Sequence, residues 1–198
     1  MSASKAGRPP TRGITEALVR SAERLMTQRG YSALTVDAVV TEVGTTRPTF
    51  YRRFPSVAHL ALTVLRERYG TGTTPDTGSL AGDLHAMQRE EVAMFADSLM
   101  RNSIVGLLEA ARLTPELSTL YSEGFVRPRR ARVAEVLSAA SARGEIDGAG
   151  IDVGEVCDLL LGPVLARTLL PLGAPLDERL VQLTAGTVLL HLGARPLA

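Results

Sequence analysis

A single cysteine, Cys157, is all the thiol that this 198-residue chain has. No internal disulfide can form, and a chain that folds without one suits a cytoplasmic location. Histidine is nearly as scarce: His59, His85 and His191 are scattered, and neither an HExxH nor a CxxC spacing occurs. A Gly-rich phosphate loop is missing as well, so metal-dependent and nucleotide-dependent catalysis lose their usual supports. No metal, no cofactor and no catalytic set is expected. Long apolar runs are also lacking. The most apolar stretch, 156–170, is interrupted by Asp158 and Arg167 and is shorter than a bilayer span. The N-terminus is polar where a secretory signal would be apolar, so no membrane partner is expected. No segment sustains a two-residue alternation, which argues against strands and for an all-α chain of about nine helices.

What the chain does have is apolar mass and an uneven charge. At 45% hydrophobic, its length suits one small domain and one larger one, each with a core. Residues 1–54 carry nine Lys and Arg against four Asp and Glu, a balance of +5, whereas residues 55–198 come to −4. Phosphate neutralisation supplies most non-specific affinity for DNA, so a basic first quarter fused to an acidic remainder fits a DNA reader joined to a different module.

The segment 35–55, TVDAVVTEVGTTRPTFYRRFP, makes that reading specific. Val36, Val39, Val40 and Val43 recur at helical spacing behind Thr35, a residue suited to the N-cap. Gly44 ends this helix, because a residue past a helix C-terminus often takes positive φ, which glycine adopts without steric cost. Thr46 caps a second helix, and Pro48 falls in its first turn, where the missing N–H leaves no bond unmade. This is a helix-turn-helix, whose second helix enters the major groove. Phe50 and Phe54 should face inward, which leaves Arg47, Pro48, Tyr51 and Arg52 outside. Arg47 suits a bidentate pair with guanine, and Thr46 or Thr49 suits a base edge or a thymine methyl. Tyr51, Arg52 and Arg53 suit phosphates, which fix register without specifying sequence.

Upstream, Ile14, Ala17, Leu18, Ser21 and Leu25 line one side of a supporting helix that ends before Gly30, with Tyr31 and Leu34 as core plugs. Ahead of it, residues 1–12 read as a flexible arm able to lay Lys5, Arg8 or Arg12 in the neighbouring minor groove. The helix-turn-helix domain is placed at 13–55, a fourth helix capped by Ser56 and a linker at 56–78, and a second domain at 79–198.

Gly30-Tyr31, Leu34-Thr35-Val36, Val43-Gly44-Thr45-Thr46, Thr49-Phe50-Tyr51 and Phe54-Pro55-Ser56 together resemble the N-terminal signature of TetR-family transcriptional regulators. The resemblance implies a DNA-binding domain followed by a helical domain for effector binding and dimerisation. It implies phosphate contact near Thr35 and groove contacts at Thr46, Arg47, Pro48, Thr49 and Tyr51. Three departures stand out. Val57 occupies the place where many members carry a phosphate-anchoring lysine, Arg53 stands where many have histidine, and Pro48 where many have a small residue.

The remainder reads as helices near 80–100, 102–113, 115–124, 126–143, 152–170 and 177–191, punctuated by Pro115, Pro128, Gly144 and Pro171. The resemblance implies an effector cavity among the middle helices, and Met87, Met94, Phe95, Leu99, Ile104, Leu107, Leu108 and Phe125 are the candidate lining. Methionine and phenylalanine adapt to apolar or amphipathic ligands. His85, Asn102 and Arg127 are candidate polar contacts, while the cluster Arg127, Arg129, Arg130 and Arg132 reads as a solvated face paired with acidic neighbours. The last two helices are apolar on more than one side, so Leu160, Val164, Leu165, Leu183 and Val188 are candidates for a homodimer interface. Two-fold symmetry would then match a near-palindromic operator. The function expected is a DNA-binding regulator, a repressor released by a small effector. The alternatives are a regulator controlled by a partner protein or by abundance and, much less well supported, a small helical enzyme.

Overall fold

The computed structural model describes residues 11–170 and 173–194, with backbone only at positions 11 and 12. Among the described residues there are ten α-helices and no strand. The first four are α1 (Thr11–Arg29), α2 (Val36–Val43), α3 (Arg47–Tyr51) and α4 (Val57–Tyr69). They are followed by α5 (Leu80–Ala96), α6 (Ser98–Leu113), α7 (Pro115–Tyr121), α8 (Arg127–Ala142), α9 (Val153–Leu169) and α10 (Glu178–His191). Of the expected arm, Lys5 and Arg8 lie outside the described residues, as does the Arg12 side chain. The arm also ends sooner than residue 12, because α1 begins at Thr11.

Local chemistry sets most helix ends. Thr35 accepts a hydrogen bond from the Ala38 amide, Ser79 from Gly82, Asp152 from Gly154 and Glu155, and Asp177 from Leu180. Gly44 takes φ 71°, so α2 stops there and the chain turns into α3.

Two boundaries differ from expectation. The helix expected to reach residue 100 breaks at Asp97, whose extended backbone (φ −66°, ψ 141°) separates α5 from α6. Asp97 Oδ1 accepts from the Leu99 amide at 2.9 Å and from the Tyr69 hydroxyl at 2.8 Å, while Arg68 donates to Oδ2 at 2.8 Å. A partner on α4, remote in sequence, has turned a mid-helix aspartate into a cap. Further on, α7 and α8 are joined by one π-helical turn, Ser122–Val126, in which the Arg127 amide reaches back five residues to the Ser122 carbonyl. Pro128 has no N–H to offer the Gly124 carbonyl, so the widened turn bridges the gap that proline would otherwise leave as a break.

Apolar burial forms two clusters that do not follow the expected domain boundary. One joins Leu18, Met26, Phe50, Leu60 and Leu65 of the N-terminal helices to Leu99, Ile104, Leu107 and Phe125. The other is built from α5, α8, α9 and α10 around Leu84, Val136, Val156 and Val188. The helix-turn-helix unit is thus anchored by α1, which lies along α6. Ser103 Oγ donates to the Met26 carbonyl at 3.3 Å, and the Asn102 amide donates to the Thr27 carbonyl. Gly30 sits at φ 81°, where a Cβ would lie 2.6 Å from the Asn102 carbonyl oxygen. Only glycine allows that approach.

Candidate nucleic-acid interface and effector cavity

Phe50 is fully buried and Phe54 nearly so, and the two rings pack 5.9 Å apart beneath α3. Fixing that face inward turns the opposite face outward. Thr46, Arg47, Pro48, Tyr51 and Arg52 are exposed, as is Thr35 at the head of α2, and Thr49 is half-buried. The side chains on this face are ordered by one another. Thr46 Oγ1 donates to Thr49 Oγ1 at 3.0 Å and caps the helix by accepting from the Thr49 amide at 3.4 Å; Arg52 donates to Thr49 Oγ1 at 3.1 Å. Tyr51 sits edge-on to Phe50 with ring centres 5.4 Å apart. Arg47 turns back to α2: its Nε donates to Asp37 Oδ1 at 2.6 Å and an Nη donates to Oδ2. That guanidinium holds the Asp37 carboxyl below the usual carboxylate range, chiefly through the hydrogen bonds.

Arg53 differs from its expected role. It is half-buried, its Nε donates to Thr15 Oγ1 of α1 at 3.2 Å, and Nη1 donates to the Thr49 carbonyl at 2.8 Å. These bonds make it a brace between α1 and α3 ahead of any contact with phosphate. A second brace holds α2: Ser21 donates to Glu42 at 2.8 Å, and Arg24 donates through Nε at 3.0 Å. No pattern in the sequence singled out Glu42, because its partners lie about twenty residues upstream.

In the second half, α5 to α9 line a half-open cavity of about 240 Å³. Met87, Met94, Phe95, Ile104, Leu108 and Phe125 of the expected lining are there. Leu99 and Leu107 are not; both are buried in the cluster shared with the N-terminal helices. The expected polar contacts also fall elsewhere. His85 is buried, with Nδ1 2.6 Å from the Ala81 carbonyl and Nε2 2.9 Å from Gln182, so it ties α5 to α10. Asn102 is committed to α1, and Arg127 is exposed and paired with Glu123.

The polar wall is instead Gln88, Glu91, Tyr121, Arg129, Arg130, Arg132 and Asp158. The arginines read from the sequence as a solvated face are therefore drawn partly inward. Arg129 lies over the Phe125 ring, 3.7 Å from its centre, and its Nη atoms donate to the carbonyls of Phe125 (3.1 Å) and Gly70 (2.7 Å). Arg132 donates to the carbonyls of Thr71 and Thr73 and to Glu90. Burial lowers the pKa of Arg129 and raises that of Glu91, and it pushes the Tyr121 phenol up to about 12. Burial likewise raises the Cys157 thiol, which leaves it a weak nucleophile.

The expected dimer residues divide. Leu160, Val164 and Val188 are buried within one protomer, and Leu160 and Leu165 line the cavity, so these are corrected from interface to interior. A helix apolar on two sides meets the cavity and the core here on both. Leu183 is 54% exposed, and Leu190, not among the candidates, is 71% exposed on the same stripe of α10. Gly162 and Gly186 face open space. Among the described residues no cluster of three His, Cys, Asp or Glu side chains is placed to hold a metal, and no helix is long and apolar enough to cross a membrane.

Residues 18–64 match the family model for bacterial regulatory proteins of the tetR family, and residues 74–188 match the tetracyclin repressor-like C-terminal domain. The chain is 33% identical over 170 residues to an HTH-type transcriptional regulator of Mycobacterium bovis, covering 84% of this chain and 81% of that one. It is 28% identical over 171 residues to the HTH-type regulator YdeS of Bacillus subtilis, covering 84% of each. The crystal structure of the TetR-family transcription regulator SCO0332 superposes with a TM-score of 0.69 at 28% identity, covering 92% of this chain and 99% of that one.

Proposed function

Because the chain belongs to the TetR family of transcriptional regulators, which bind DNA and act as dimers, we propose that it is a repressor released from a near-palindromic operator by a small effector. One observation carries the DNA half of this reading: α3 buries Phe50 completely while turning Thr46, Arg47, Pro48, Tyr51 and Arg52 to solvent. A short helix with one buried ring beneath it and an exposed opposite face is built to enter a groove. Arg47 and Thr49 read bases, Thr35, Tyr51 and Arg52 hold phosphates, and Arg53 sets the angle of α3 through Thr15.

The cavity supplies the release. Tyr121 and Phe125 of its wall belong to the α7–α8 junction, and Gly124 in the same π turn packs so close to Leu62 of α4 that a Cβ would lie 2.8 Å from Leu62 Cδ2. A ligand that rearranges this turn presses on α4 and hence on the helix-turn-helix unit. Effector and DNA then favour different arrangements, and each weakens the other by the same factor. The two copies meet through the outer stripe of α10, Leu183 and Leu190, with Gly162 and Gly186 permitting close approach.

Selection of bound fragments from a random duplex library tests the proposal. A two-fold symmetric consensus is expected, and retention without any sequence preference contradicts it.

A further inference from the structure

The cavity wall contains five charged side chains, and four of them take part in hydrogen bonds, Arg132 with its Nε left buried and unpartnered. Arg130 donates to Asp158 at 2.8 Å and to the Gly154 carbonyl at 3.3 Å. Arg132 is engaged by Glu90 at 2.8 Å and by two backbone carbonyls, and Arg129 by the carbonyls of Phe125 and Gly70. Glu91 is the exception. Its side chain is three-quarters buried, its nearest cation is Arg129 Nε at 3.9 Å, and among the described residues no hydrogen bond reaches its carboxylate. A carboxylate three-quarters buried in that condition has lost much of its water without gaining a hydrogen-bond donor.

From this geometry, and resting on the reading of the cavity as the effector site, we infer that the effector is a compact apolar amine whose cationic nitrogen docks on Glu91. The surroundings suit such a head group. Tyr121, stacked on Phe125 with ring centres 5.5 Å apart, lies on the same wall, and aromatic faces attract cations, as the Phe125 face already does with Arg129. The rest of the wall, Met87, Met94, Ile104 and Leu161, is apolar and receives the hydrocarbon body. Arg129 keeps its charge, but its two Nη atoms are committed to the carbonyls of Phe125 and Gly70 and only Nε, at 3.9 Å, approaches Glu91, so it gives the carboxylate no hydrogen bond. An anion, in contrast, would leave Glu91 without a donor and add like charge beside it.

Binding of hexylamine, hexanol and hexanoate to the full-length protein, measured by calorimetry and by the shift in melting temperature, tests the inference. The three probes share one hydrocarbon body and differ in charge. Hexylamine is expected to bind about tenfold or more tighter than hexanol, as a hydrogen bond to a charged group implies, with hexanoate weakest. Glu91→Gln is expected to erase the preference for the amine while keeping hexanol binding, and Glu91→Asp, which retains the charge, to keep most of it. Equal binding of all three probes, or an amine preference that survives Glu91→Gln, overturns the inference and leaves the cavity as an effector site. A preference for hexanoate overturns it in the same way. Failure of all three to bind removes the effector reading of the cavity together with it.

Discussion

Asp37 of α2 holds Arg47 of α3 by two parallel hydrogen bonds, so the arginine best placed to read a base is clasped by a carboxylate on its own supporting helix. Both side chains are exposed, 60% for Arg47 and 64% for Asp37, so the pair is open to competition from DNA. A guanine offers the same fork the same two acceptors, whereas a phosphate brings Asp37 and a second anion together. The clasp therefore penalises the wrong contact more than the right one. Arg47→Ala is expected to cost roughly 1–3 kcal/mol on the selected operator and little on random duplex. Asp37→Asn is expected to tighten binding to both while narrowing the ratio between them. Titrations of the two duplexes with each variant check this; an unchanged ratio in Asp37→Asn excludes the role given to the clasp.

Arg52 is assigned to phosphate, and it donates to Thr49 Oγ1 at 3.1 Å. Arg52→Ala should weaken binding to every sequence alike and reduce the slope of log K against log salt by about 1. Binding measured over a salt series distinguishes this from loss of a base contact, which changes specificity and leaves the slope alone.

Gly30 combines φ 81° and ψ 174° with a backbone oxygen where a side chain would begin. Gly30→Ala is expected to cost about 1–3 kcal/mol of stability from the backbone conformation, with a further loss as α1 is pushed off α6. Denaturant unfolding measures the loss, and DNA affinity should fall with it because α1 carries the reading unit.

Leu183 and Leu190 are seven residues apart on the bare face of α10, and Val188 between them points into the core. Leu183→Glu with Leu190→Glu should give a folded monomer in sedimentation with an unchanged helical circular-dichroism spectrum. Val188→Asp should instead unfold the protomer, since it buries a charge without a partner.

The unliganded protein should show the cost of keeping Glu91 for a ligand. Burial lifts its pKa above the ordinary carboxylate value, against the smaller opposing pull of Arg129 and Arg132. A carboxyl with a raised pKa holds its proton more tightly in the folded state, so native stability is lost as pH rises from the ordinary value through the raised one. Glu91→Gln cannot ionise and escapes that loss. Its melting temperature is expected to match that of the parent near pH 4 and to exceed it near pH 8. A variant less stable than the parent at both ends contradicts the assignment.

Consecutive residues were enough to define the reading unit. Thr35, Gly44, Thr46 and Pro48 act within three or four positions of themselves, the Val36–Val43 period lies within one helix, and Phe54 follows Phe50 by four positions just past the end of α3, so chemistry and outcome sit together in the chain. The helical class, the caps of α2, α3, α5, α9 and α10, and the outward face of α3 follow from such local rules. The tertiary structure alone decided what depends on partners from other helices: the break at Asp97 set by Tyr69, the clasp of Arg47 by Asp37 and the placing of Glu91 3.9 Å from Arg129. It also decided which side of α9 and α10 is core, cavity or surface. An apolar period marks a face for burial without naming what covers it, and a charge acquires its role only when packing brings, or withholds, the opposite charge.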